Sequence, residues 1–378
     1  MSGDWADLPI DLLHLIANRI EDLKDFIVFT CVCTSWKNAA PKDKFDVFTP
    51  QVPLLMLADK DSDYREFYSL SKKKFSSIFL PEARGRPCFP SEGWLCTMEN
   101  NTGEMNLLHP LSRTQIQLPS RENLMASNGI GDEQIWTCIE KVVLSASPCM
   151  TSDYVLVVHY HANINHLAFC RPGDLNWTHI KCRRFGAITG INYYKGHFYF
   201  VTCMGQFWVF EVAGPTTSEP IVEPRLLFWS EDKTIFRRPS VQFYLVELSD
   251  ALLFVIRFAH YSDGPNGGHE TFKFKVVELD LIEGELKEKE IKTLGDSAFF
   301  LGFNTGACCI DSSKFSGIKP NHIYFTDDWN EKFCFLEGGG GKDTGVYNYE
   351  DGQIESIYPG LSLSPICPPT WIMPYPIM

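Results

Sequence analysis

Tyr154-Val155-Leu156-Val157-Val158, His166-Leu167-Ala168-Phe169 and Trp177-Thr178-His179-Ile180 are three β-rich runs parted by short polar breaks. Aliphatic and aromatic runs of this length, bounded by Asp, Asn, Gly and Pro, read as strands. The same loose unit of strand, polar hairpin and second or third strand recurs along the chain. Upstream, 53–57 leads to 67–70 and 77–81, and 93–97 leads to 104–108 and 114–119. Downstream, 196–201 leads to 206–210, 251–256 to 272–277 and 286–291, and 321–325 to 345–349 and 354–357. Further β-like runs at 141–144, 188–191 and 241–245 lie between units. Three or four strands per unit, repeated about six times, predict an irregular β-propeller of about six blades. No repeat-signature dipeptide recurs, so a pair of β-sandwiches is the alternative. No leucine-rich register appears, which argues against a solenoid.

The first residues follow a different period. Leu12, Leu13, Ile16 and Ile20 recur at three- and four-residue spacing, an apolar helical stripe. Pro9 suits the first helical turn, Asp11 the positive end and Arg19 the negative end. Asp22 and Asp25 look like the start of a second helix carrying Phe26 and Phe29. Val32, Cys33 and Trp36 form a third short apolar face, stopped by Pro41. The chain thus reads as mainly β with a small helical module at 1–45 and a propeller-like body at 46–378. Three short helices bury too little to hold all of Leu8, Leu12, Leu13, Ile16, Ile20, Val32 and Trp36. The surplus either caps the body or binds a partner.

Composition narrows the function. The 378 residues are 44% hydrophobic, with 28 Phe, 14 Tyr and 9 Trp, as expected of a folded chain. A formal net charge of −13 without an extended basic stripe argues against nucleic acid as a partner. Lys72-Lys73-Lys74 and Arg183-Arg184 are short solvated runs. The longest strongly apolar stretches, such as 252–256, stop far short of a membrane span, and the acidic first residues do not form a signal peptide. The 13 cysteines are scattered through apolar segments and read as reduced, buried thiols. An intracellular protein of cytoplasm or nucleus, with no membrane partner, is expected, and the sequons at Asn100 and Asn176 are then chance matches.

The order Leu8-Pro9, Leu12-Leu13, Ile16, Ile20, Asp25, Phe29, Val32-Cys33, Trp36 resembles the F-box. The family often carries basic residues where this chain has Val28, Thr30 and Thr34. The resemblance implies docking on the Skp-type adaptor, and through it a cullin, by Leu8, Pro9, Leu12, Leu13, Ile16, Ile20, Val32, Cys33 and Trp36. Gly93-Trp94-Leu95, 106–111 with Leu118-Pro119, the block from Phe299 to Asp328, and Pro368-Pro369-Thr370-Trp371 look like a plant F-box family with a C-terminal domain often called kelch-like. His322 stands where that family usually has Cys.

Catalytic patterns are weak. Gly338-Gly339-Gly340-Gly341-Lys342 lacks phosphate-loop spacing, and Asp343 follows the Lys, so a flexible hairpin loop is expected. His159 and His161 share a strand face with His166 near them, but read as surface or blade-edge residues rather than metal ligands. Cys308-Cys309 suits neither zinc nor redox chemistry, no Cys-x-x-Cys or Gly-x-Ser-x-Gly occurs, and Asp327-Asp328 reads as a polar turn. The expectation is a non-catalytic, cofactor-free substrate-recognition subunit of a ubiquitin ligase, its protein target held by propeller loops at 59–65, 120–136, 260–270 or 329–344. The rivals are a propeller enzyme with a helical cap and an F-box scaffold outside the ligase.

Overall fold

The computed structural model describes residues 5–20, 23–41, 52–126, 138–162, 164–181, 186–212, 222–230, 240–262, 268–280, 287–302, 307–329, 333 and 336–374. Six sheets make a propeller. The first blade holds β1 (Leu54–Met56), β2 (Tyr64–Ser69) and β3 (Lys74–Phe79). The second holds β4 (Cys88–Ser91), β5 (Trp94–Met98), β6 (Met105–Leu108) and β7 (Gln115–Gln117). β8 (Cys138–Leu144), β9 (Leu156–Ala162), β10 (Ile164–Cys170) and β11 (Thr178–His179) form the third. The fourth comprises β12 (Ile188–Tyr194), β13 (His197–Thr202), β14 (Gln206–Phe210) and β15 (Arg225–Trp229). The fifth comprises β16 (Val241–Leu248), β17 (Ala251–Ser262), β18 (Gly268–Asp280) and β19 (Lys287–Ile291). The sixth has β20 (Ser297–Leu301), β21 (Cys308–Asp311), β22 (His322–Phe325), β23 (Gly345–Asn348) and β24 (Ile354–Glu355). There β20 lies between β21 and β22 and runs parallel to β22. β25 (Thr370–Ile372) returns to pair antiparallel with β1 and completes the first blade from the far end of the chain.

Alternation explains the ring. In the third blade Val143, Val157 and Phe169 pack with the fourth blade's Ile191, Phe198 and Phe200. Their neighbours Val142, Val158 and Ala168 face the second blade's Phe89, Cys96 and Leu107. Both sheet faces are therefore dry, and the strands read as near-continuous apolar runs. The first blade does the same with Leu55, Tyr68 and Trp371 against the sixth blade and Met56, Phe67 and Ile372 against the second. The inner strands β25, β4, β8, β12, β16 and β21 are neighbours in that order.

Two expected loops differ from their sequence reading. Segment 59–65 is a loop as far as Asp63, its ends tied by a buried ion pair, Asp59 with Arg65 at 3.0 Å. Segment 260–270 is mostly strand, because β17 continues to Ser262 and β18 begins at Gly268. In 120–136, Glu122–Ala126 is a short helix and 127–136 lies outside the described residues.

The glycine run is a close crossing rather than a flexible loop. Gly340 pairs with Ser364 through backbone hydrogen bonds of 3.0 and 3.1 Å. Gly339 has φ +88°, and a Cβ there would lie 2.2 Å from both Pro365 N and Ser364 C. Gly339→Ala should therefore lower stability by about 3 kcal/mol, because left-handed strain adds to backbone overlap. Gly173→Ala, with φ +87° but nothing within 4 Å, is the control and should cost about 1 kcal/mol. Chemical denaturation of the two variants separates the terms. Equal losses would show that the crossing is not close-packed.

Candidate functional site

Two places concentrate features that folding alone does not need. The first is the helical head, built from α1 (Ile10–Arg19), α2 (Leu23–Thr30) and α3 (Thr34–Ala39). Pro9 sits just before α1, and its carbonyl accepts from the Leu12 and Leu13 amides. Cys33 holds the equivalent place before α3. The head has its own small core of Leu13, Ala17, Phe29 and Ala39, with Leu8, Ile20 and Trp36 packed partly against it. Phe29 and Trp36 lie 4.7 Å apart, and the Trp36 indole donates to the Trp5 carbonyl.

This core divides the predicted adaptor-binding residues. Leu13 is 1% exposed and belongs to the interior. Leu8, Ile20, Cys33 and Trp36 are half-buried, whereas Pro9 is exposed. Leu12 at 46%, Ile16 at 39% and Val32 at 52% remain open to solvent. The spacing places Leu12 and Leu13 on one stripe; the structure sends one outward and the other inward. It also adds Ile10, Leu15 and Val28 to the exposed apolar residues. Their signal was breadth: apolar residues surround more of α1 than a single core face requires.

The second place joins the fifth and sixth blades. Arg257 of β17 is fully buried. Its Nη1 donates to Asp328 at 2.9 Å and to the Thr326 carbonyl at 2.8 Å, and its Nη2 donates to Asp343 at 2.8 Å. Its Nε donates to Thr271 at 2.6 Å, and its guanidinium lies 4.5 Å from the Phe325 ring centroid. Tyr244 donates to Asp328, and the Trp329 indole donates to Asp343. Burial opposes the Arg257 charge, but Asp343, Tyr244 and Asp328 outweigh it and hold the guanidinium charged. Asp327-Asp328 is thus no exposed turn: both carboxylates are buried, and so are Trp329, Phe333, Gly339, Gly340, Gly341 and Asp343 among the described residues of the expected loop.

Asp327 differs from its two neighbours. Its Oδ2 accepts from the Gly341 and Lys342 amides at 2.8 and 3.1 Å, with no cation on it among the described residues. Burial pushes its carboxyl up to about 6, against the lowering effect of the Gly341 amide. Beside it lies a small recess with room for about one water, lined by Tyr261, His269, Trp329, Phe333 and Leu336 with Lys342. His269 stacks on Trp329 with centroids 3.9 Å apart.

The remaining sequence candidates separate. His159 and His166 lie on opposite faces of the third blade, because His166 is opposite Tyr160 in register and stacks on its ring. His159 is buried beside Asn165 and Glu140, and desolvation lowers its imidazole to about 3. His161 is exposed near the strand end. Cys308 and Cys309 are successive residues of β21, so they point to opposite sheet faces, and burial raises both thiols. Among the described residues no group of three or more His, Cys, Asp or Glu is arranged to hold a metal ion.

Comparison with known proteins places this architecture. The family model described as the KIB1-4 beta-propeller matches residues 67–348. The Arabidopsis thaliana protein At1g65770 is 26% identical over 94% of this chain and 99% of its own length. F-box protein SKIP23 from the same plant is 26% identical over 98% of this chain and 95% of its own. The F-box/kelch-repeat protein At1g64840, also from Arabidopsis thaliana, is 22% identical over 87% and 85%. Apo AztD from Citrobacter koseri aligns at 8% identity with a TM-score of 0.35, over 86% of this chain and 99% of that one, too distant to bear on the fold. On the match to three-quarters of its length, this chain belongs to the KIB1-4 beta-propeller family, and its relatives are plant F-box proteins.

Proposed function

We propose that the chain is the substrate-recognition subunit of a Skp–cullin–F-box ubiquitin ligase, acting inside the cell. Residues 1–45 form the adaptor-docking domain and 46–378 the target-holding domain. One observation carries this reading: a helical head with its own core still leaves Leu12, Ile16 and Val32 in solvent. Burying the exposed half of three aliphatic side chains on a partner is worth about 0.7–1.5 kcal/mol each, enough together to anchor a helix-in-groove contact. Pro9, Leu12, Ile16 and Val32 are the direct contacts in this proposal. Leu8, Ile20, Cys33 and Trp36 supply their rims, and Leu13 positions α1 from within. The propeller then presents a target, and ubiquitin transfer gains from proximity rather than from chemistry on this chain.

Leu12→Asp with Ile16→Asp should abolish retention of a Skp-type adaptor, a loss of at least about 100-fold in affinity. Because both side chains are exposed, the melting temperature should move little. Pulldown from co-expressed protein, with a thermal melt of the same sample, reads both. Retention of the adaptor by the double variant would overturn the docking assignment.

A further inference from the structure

We propose that Cys88 and Cys367 are a redox-active dithiol: hydrogen peroxide converts them to a disulfide that locks the ring at its seam, and a dithiol reductant opens it again. The two residues flank the seam. Cys88 begins β4, and Cys367 lies just before β25. These two strands are neighbours on the inner side of the ring. Both cysteines are free and fully buried, in one core cluster with Met56, Phe67, Leu80 and Leu95. A buried cation stands with them. Arg65 pairs with Asp59 at 3.0 Å and donates to the Ala83 carbonyl at 2.8 Å. It also hydrogen-bonds Cys367, and its charge acts on both sulfurs. Asp59 accepts from the Gly85 amide at 3.1 Å, and its own amide donates to the Cys367 carbonyl at 3.0 Å. The Cys367 amide donates to Ser364 Oγ at 3.2 Å, so the backbone of Cys367 is held on both sides.

The surroundings give the two sulfurs different parts. The Cys88 thiol donates to the Cys367 sulfur, and together with Arg65 this outweighs burial and holds Cys367 below the usual thiol range. The same hydrogen bond, with burial, pushes Cys88 up. Burial also pushes up Cys96, Cys170 and Cys308, the ordinary condition of a structural thiol. Cys367 is therefore the attacking sulfur. Its thiolate bonds to one peroxide oxygen, the O–O bond breaks, and the departing hydroxide leaves as water with the proton Cys367 released. The Cys88 sulfur then attacks the sulfenic sulfur of Cys367. The S–O bond breaks, and the second hydroxide leaves as water with the Cys88 proton. Two thiols thus give two electrons to one peroxide. Pro365 and Ile366 are exposed and Arg86 and Pro87 half-buried, so the sulfurs lie close under the surface. A local opening of the seam admits a molecule as small as peroxide. The bond joins positions 88 and 367, a long loop of the kind whose closure restrains the unfolded chain most.

The test treats the full chain, first reduced and desalted, with hydrogen peroxide in slight excess. Remaining thiols are then alkylated and the peptides mapped by mass spectrometry, with and without dithiothreitol. A peptide pair joined through Cys88 and Cys367, lighter by two hydrogens, should form in most molecules and vanish with dithiothreitol. The oxidised protein should unfold in guanidinium at least about tenfold more slowly than the reduced one. Cys88→Ser and Cys367→Ser should each unfold at the same rate before and after peroxide. If either variant fails to fold, the peptide map and the two unfolding rates of the parent still decide. Cys88 and Cys367 that stay separately alkylated, while the exposed Cys31 and Cys138 oxidise, overturn the inference. So does a Cys88–Cys367 disulfide that leaves the unfolding rate unchanged, or a Cys367→Ser variant that peroxide slows as much as the parent.

Discussion

Arg257→Met is expected to destabilise the propeller by about 3–5 kcal/mol, because it strands two buried carboxylates. Among the described residues Asp328 would keep Tyr244, and Asp343 would keep Thr271 and Trp329. Methionine fills much of the volume over Phe325, so the loss is electrostatic more than steric. Against a typical net stability of about 5–15 kcal/mol, about a fifth or more would go with one side chain. Guanidinium unfolding reads the loss as a lower midpoint. Adding Asp328→Asn and Asp343→Asn to Arg257→Met should recover part of it, since the stranded charges are then gone. A single variant within 1 kcal/mol of the parent, or a triple variant no better than the single, would show that Arg257 does not pin the two blades together.

Trp371→Ala should cost about as much, near 3–5 kcal/mol, for an unrelated reason. Trp371 is fully buried on β25 and meets Phe300 edge-on at 5.0 Å. Its strand is the seam of the ring, pairing Trp371 with Leu55. The cavity would open where the first and sixth blades meet, so the ring would lose closure as well as volume. Deleting 368–378 is the harsher form: β1 would lose its inner partner and expose an unpaired edge, and the protein should run as aggregates on gel filtration. The two experiments agree only if closure by β25 is essential. A monomeric, folded deletion protein would refute that.

Much of this architecture is legible in the sequence, and what is missing follows a physical pattern. Long middle strands such as β9, β13 and β17 announce themselves because both of their faces are dry. The inner strands are harder. β8, β12 and β16 look like spare runs between units, and β4 carries Pro90, which argues against a strand. β25 is three residues after a Pro-Pro pair, and only its partner β1, far away in sequence, makes it a strand. In the head the apolar content was readable, but which residue of the adjacent pair Leu12 and Leu13 turns inward depends on Phe29 and Ala39. Asp328 resembles a turn residue because its cation sits in another blade, and Asp327 because the amides that hold it come from Gly341 and Lys342. The available clue was Arg257 itself, a charge between Ile256 and Phe258 in an otherwise apolar run.

The seam at β25 also sets a timetable. Ala58 and Ser362, hydrogen-bonded beside it, are 304 residues apart along the chain. At roughly 5–20 residues per second, a ribosome needs about 15–60 s to pass from one to the other. Throughout that interval the first blade is unfinished and its β1 edge has no inner partner. The head, by contrast, has every residue of its core by Ala40 and can fold as soon as it emerges. During synthesis, the surface proposed to meet the adaptor therefore exists well before the surface proposed to meet a target. A nascent chain has time to be claimed by one partner while it is still unable to hold the other.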